Sequence, residues 1–191
     1  MIKTIMSSIV LMAAISSTAL ADNSVGTDYS SKQKVGVGEH HDVYGVTYGT
    51  NVSNNLSFEG RMEDEVVHDP AKHEGLIQAK LSYDIINLDG FKPYVAGAFG
   101  QKSKATSNFG YYVVEGGVKY SPISNVDLKL ARRLRTPWSE SNSGTGDKYR
   151  TVENSATAGL RLGKNILSVK YARERGDSNY NTIGVGINHK F

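Results

Sequence analysis

Four of the five histidines fall early in the chain, at His40, His41, His68 and His73, with carboxylates nearby at Asp42, Glu63, Asp64, Glu65, Asp69 and Glu74. Imidazole nitrogens and carboxylate oxygens hold borderline divalent cations, and an Asp beside a His is also a general-base pair. Either chemistry needs a fixed geometry. No pair here has the His-x-x-x-His spacing by which a helix turns two rings to one side. A hydrated rim of loop residues is therefore the plainer reading of His40, His41, His68 and His73, and no residue is assigned as catalytic, cofactor-binding or metal-binding. Cysteine is absent, which removes thiolate metal sites and disulfide-stapled scaffolds. Arg175-Gly176-Asp177 matches a cell-adhesion tripeptide, but a tight glycine turn between charged strand ends explains it as well.

A second set of charges lies later and is more regular. Glu59, Arg61, Lys80, Asp84, Glu115, Lys119, Asp127, Lys129, Arg133, Arg161 and Lys170 share polar faces with Gly, Ser and Ala. Mixed signs beside small residues suit a narrow, ion-paired interior, and they also suit a wet exterior, so the elements that carry them decide the matter.

Those elements read as strands. In residues 182–191, Ile183, Val185, Ile187, His189 and Phe191 fall on one face, and Thr182, Gly184, Gly186, Asn188 and Lys190 on the other. This is a period of two. The same alternation places Leu167, Val169 and Tyr171 opposite Ser168, Lys170 and Ala172, and Ile77, Ala79, Leu81 and Tyr83 opposite Gln78, Lys80, Ser82 and Asp84. Residues 44–52, 56–63, 112–120, 126–131 and 156–162 repeat it, while 34–38 and 94–100 are less regular, for about ten candidate strands. Residues 22–31 show no periodicity and read as a polar tail. Twenty Gly and 11 Tyr with only 4 Pro suit paired strands better than packed helices.

The connections differ in kind. Residues 53–55, 87–90, 121–125 and 163–165 are tight turns of Asn, Gly, Pro and Ser. Residues 40–42, 68–74, 102–110, 137–152 and 176–179 are expected as polar segments on the opposite side, and 139–148 as an exposed loop suited to an extracellular ligand. At the N-terminus, Lys3, the apolar stretch 5–15 and Ala19-Leu20-Ala21 form an export signal over 1–21, with cleavage before Asp22. Hydrophobic residues are 39% and charged residues 21%, which leaves no case for a helical membrane protein, and a net charge of +3 does not suggest a nucleic-acid partner.

Aromatic residues near strand ends, at Tyr44, Tyr83, Phe91, Tyr111, Tyr112, Tyr120, Tyr180 and Phe191, fit girdles at two water–lipid boundaries. The chain also ends on Phe191, with Val185, Ile187 and His189 on alternate positions before it. Together with the stretch Pro93-Tyr94-Val95-Ala96-Gly97-Ala98-Phe99-Gly100, this resembles the small bacterial outer-membrane β-barrel proteins of the OmpA-like and OmpX-like kind. The resemblance implies an all-β, closed, antiparallel up-and-down transmembrane barrel over 32–191. Ten strands are counted here, against the eight usual in small members. It further implies outer-membrane localisation, contact with outer-membrane lipid, a monomer, and recognition of the Phe191 strand by the barrel-assembly machinery. The function it implies is structural or narrowly porin-like, with no cofactor. An outer-membrane enzyme, metal-binding or adhesion protein using rim His and Asp residues is the alternative.

Overall fold

The computed structural model describes residues 23–68, 71–104, 108–138, 150–177 and 179–191. The alternating sequence folds into ten strands: β1 (Asn23–Lys34), β2 (His40–Asn51), β3 (Leu56–His68), β4 (Ala71–Asp84), β5 (Phe91–Ser103), β6 (Asn108–Ile123), β7 (Val126–Pro137), β8 (Thr151–Leu162), β9 (Asn165–Gly176) and β10 (Tyr180–Lys190). Each pairs antiparallel with its neighbour in sequence, and β1 pairs with β10 from Ser24↔Lys190 to Lys34↔Tyr180, closing the barrel. No edge is left open, so every strand satisfies its backbone groups on both sides.

Which face points where is set by the period of two. Outward residues are apolar and bare: Leu130 and Ile183 are each 62% exposed and Val185 53%. Most inward residues are polar or charged and covered: Glu115 is 2% exposed and Lys80 6%. Among the described residues, thirty-one large hydrophobic side chains are exposed, while ten apolar residues make up the buried set. A water-soluble sheet does the reverse. At about 25 cal/mol per Å² of apolar surface, this exterior is costly in water and favourable against hydrocarbon.

Tight turns join strands at the end that holds Phe191. Only Gly163 and Lys164 separate β8 from β9, and only Ser124 and Asn125 separate β6 from β7. Before β5, Leu88 and Phe91 exchange backbone hydrogen bonds of 2.9 and 2.8 Å around Asp89-Gly90. Both central residues have positive φ, 44° and 85°, the two-residue hairpin turn whose twist matches its strands.

Several expectations are corrected, most of them at the other end. Residues 23–31 are not a tail but most of β1. Residues 34–38, expected as a strand, are the end of β1 and the turn after it. His40, His41 and Asp42 lie in β2 rather than in a loop. Most of 68–74 and part of 102–110 are also paired strand, with His68↔Ala71 and Ser103↔Asn108 the last partners. For the segments at the far end the physical reason is length: a strand of 12–16 residues, tilted about 40°, rises roughly 30–40 Å, more than the apolar band of about 25 Å. Beyond that band both faces meet water, and hydropathic alternation disappears although pairing continues. Tyr111 and Tyr180, expected in the aromatic girdle, point into the barrel; Tyr111 is fully buried. The export signal over 1–21, the loop 139–148 and Asp69 lie outside the described residues.

Candidate functional site

The inward residues of the ten strands form one interior, largely polar, with an apolar cluster of Leu76, Ala98, Phe109, Tyr111 and Val113. A ring of ten strands spaced about 4.8 Å and tilted about 40° has a backbone radius near 10 Å, so long side chains from opposite walls nearly meet. The charges there sort into three tiers.

In the middle tier, Glu115 on β6 accepts hydrogen bonds from Tyr94 Oη at 2.7 Å, Arg133 Nε at 3.0 Å and Lys129 Nζ at 3.1 Å. The Tyr94 ring lies between two ammonium groups, Lys119 Nζ and Lys129 Nζ, each 5.0 Å from its centroid. Such placement over an aromatic face is attractive for a desolvated cation. Gly117 makes room for that ring, since a Cβ there would sit 2.8 Å from Tyr94 Cε1. Across the barrel, Arg61 on β3 joins Asp28 on β1 at 2.7 Å and also Glu63. Gly45 on the intervening strand leaves space for this pair, because a Cβ would meet Asp28 and Arg61. Lys80 pairs with Glu59 at 2.8 Å and Lys170 with Glu153 at 3.0 Å.

Toward the short turns, Lys119 meets Asp84 at 2.6 Å, and Arg161 forks onto Asp127, which also accepts the Ser121 hydroxyl at 2.7 Å. Toward the opposite end, Glu65 is the hub. It accepts from His41 Nδ1 at 2.7 Å and Lys102 Nζ at 2.9 Å, with Lys32 at 3.3 Å. Lys102 also reaches Glu74 at 2.7 Å, and the Tyr180 ring tilts against His41 at 5.1 Å. Glu39, in the turn after β1, bonds His41 Nε2 at 3.0 Å and Lys34 Nζ at 2.6 Å. The Lys34 ammonium holds the Glu39 carboxyl below its ordinary value.

All eleven charged residues singled out from sequence, Glu59 through Lys170, sit on inward positions with an opposite charge beside them. Sequence reasoning missed Asp28, read as tail, Lys32, placed in the barrel but on no strand, and Lys102, read as loop. It placed Glu74 in a rim loop and Glu65 close to the rim histidines. The inward period of two, continued beyond the apolar positions, would have found them. What remains between the side chains is a cavity of about 320 Å³, lined among others by Asp28, Arg61, Glu63, Lys129, Arg133 and Lys170. Cations and anions alternate around it, so the interior presents no field of one sign.

The four rim histidines do not converge. His41 is inside, 4% exposed, with both ring nitrogens engaged by carboxylates. His73 is outside against Asp64 at 3.4 Å. Only His40 and His68 meet, stacked on the outer wall with centroids 5.7 Å apart and Asp42 between them. Their donor atoms and an Asp42 oxygen lie within 4.8 Å of one another, the one such group of three among the described residues. At Arg175-Gly176-Asp177, the Asp177 carboxylate is turned onto the Arg150 backbone N–H at 2.7 Å.

A closed antiparallel barrel with an apolar outer wall is the fold of the outer-membrane β-barrel proteins, and this chain has it. It is a ten-stranded example. Similar solved structures include an outer membrane channel from Pseudomonas putida F1, 7% identical over 92% of this chain and 97% of that one, with a TM-score of 0.62. The NanC porin is 11% identical over 86% and 100% of the two chains, TM-score 0.51. LpxR from Salmonella typhimurium is 6% identical over 89% and 100%, TM-score 0.50. No family model and no curated protein matches the sequence.

Proposed function

We propose that this protein is an integral, monomeric β-barrel of the outer membrane of a Gram-negative envelope, with a structural role and a narrow, porin-like lumen. The observation that carries this reading is the inversion of polarity between the two walls: apolar outward, ion-paired inward. For orientation, the end that holds Phe191 is read as periplasmic, as the resemblance implies, and the opposite end, with the connection of residues 138–150, as outside. The ion pairs bridge near neighbours along the wall and leave a cavity rather than a wide channel, and barrels of about 8 strands are filled while water-filled channels belong to 16–18. The similarity to a channel and to a porin supports passage of small solutes as the activity to test. The terminal strand ending in Phe191 is the part presented to the assembly machinery, and outer-membrane lipid is the standing partner.

Two measurements test this. The protein should fractionate with outer membranes and migrate differently on gels when unheated, as a closed barrel does; release by osmotic shock would overturn the reading. In planar bilayers it should give small conductance steps that grow when Lys102 and Glu65 at the outer mouth are both changed to Ala. Wide, unselective conductance in the unaltered protein would refute the narrow lumen.

A further inference from the structure

The outer wall carries one polar constellation that the barrel does not need for closure. His40 and Asp42 lie two residues apart on β2, so their side chains share one face. The pairings His41↔Val67 and Asp42↔Val66 put His40 across from His68 on β3. A strand thus brings three donors together with a spacing quite unlike that of a helix: i and i+2 on one strand, and the facing position on the next.

The donors aim at one point. His68 Nε2 is 2.7 Å from Asp42 Oδ2, and His40 Nε2 is 3.4 Å from Asp42 Oδ1. Ligands bound at about 2.0–2.1 Å in a tetrahedron stand roughly 3.3 Å apart, so small rotations of exposed rings bring this set to that spacing. Behind it, the Tyr29 hydroxyl donates to Asp42 Oδ1 at 2.7 Å and fixes the carboxylate, while Ser31 Oγ, 3.2 Å from the His40 Nε2 that would bind the ion, would give way to it. Supports such as Tyr29 orient the ligands of metal sites. Both imidazoles are exposed, which leaves the remaining coordination position open to solvent.

We propose that His40, Asp42 and His68 bind a zinc-class divalent cation on the outer wall, above the Tyr29 and Tyr44 rings. Two imidazole nitrogens and one carboxylate oxygen select such an ion over magnesium or calcium, which prefer all-oxygen shells. One carboxylate leaves the bound dication with a net positive charge and an open position, so water or an anionic group completes the shell. His41 takes no part because it faces the lumen, and His73 stands apart on β4 beside Asp64.

The test is calorimetric titration of the untagged, detergent-folded barrel with zinc chloride, with magnesium chloride as the comparison ion. One zinc per barrel is expected, with affinity lowered tenfold or more in His40→Ala and in His68→Ala, and unchanged in His73→Ala. Tyr29→Phe should weaken binding by roughly tenfold through the loss of its support. Unheated gel mobility confirms that each variant is folded. No saturable zinc binding by the unaltered protein, equal binding of magnesium, undiminished binding by the His40→Ala/His68→Ala double variant, or its loss in His73→Ala would each overturn the assignment.

Discussion

His40 and His41 are neighbours in the chain and inhabit opposite walls. His40 stands outside in the stacked group with His68 and Asp42, whereas His41 is buried inside against Glu65 and Glu39. Leu130 and Lys129 repeat the contrast lower down, one bare on the outer wall and one reaching Glu115 within. A barrel wall is one residue thick, so a single step along the strand exchanges one solvent for another. The two walls therefore answer to different physics: outside, transfer of apolar area; inside, pairing of charges that have left bulk water.

Removing a charge from the inside is the harshest way to test that division. Glu115→Ala strips Arg133, Lys129 and Tyr94 of their shared acceptor, and leaving such cations buried costs about 3–5 kcal/mol. Reversible urea unfolding in lipid vesicles measures it; a loss within ~1 kcal/mol would mean that water already screens the interior. Placing a charge outside comes next. Leu130→Arg should cost roughly 2–4 kcal/mol in a bilayer, and a neutral result would show that this wall does not meet hydrocarbon. At the short-turn end the contrast should fade. Arg161 and Asp127 are partly exposed, so Arg161→Ala should cost about 0–1 kcal/mol in the same assay.

The smallest effect is expected at Glu39. Its folded carboxyl titrates below the ordinary value of 4.5 because Lys34 favours the charged form, so its contribution is present above the unfolded value and vanishes as pH falls through the folded one. A slightly lower melting temperature for Glu39→Gln at neutral pH, converging with the unaltered protein in acid, is the expected pattern. A constant difference at all pH values would contradict it.

The strands were legible in sequence where they cross hydrocarbon. Along β10, Ile183, Val185 and Ile187 alternate with Gly184, Gly186 and Asn188, and such contrast exists only where the two faces meet different solvents. β1 was illegible because Thr27, Ser31 and Gln33 face outward as polar residues while Asp28, Ser30 and Lys32 face inward. The upper part of β3 and β4 hid for the same reason. The interior charges were largely legible because they share the strand period. The His40, Asp42 and His68 group was not, because helical spacing was the pattern sought and the facing strand could not be known before register was fixed. Tyr111 and Tyr180 misled since an aromatic near a strand end looks the same whichever way it points.

The seam between β1 and β10 joins segments that stand nearly the whole chain apart. Local hairpins can form as the polypeptide emerges, but the ring has no stable partial version: until the final strand arrives, the first has an unsatisfied flank. The wall therefore becomes continuous only when all ten strands are present, and β1 keeps one flank unpaired until β10 arrives.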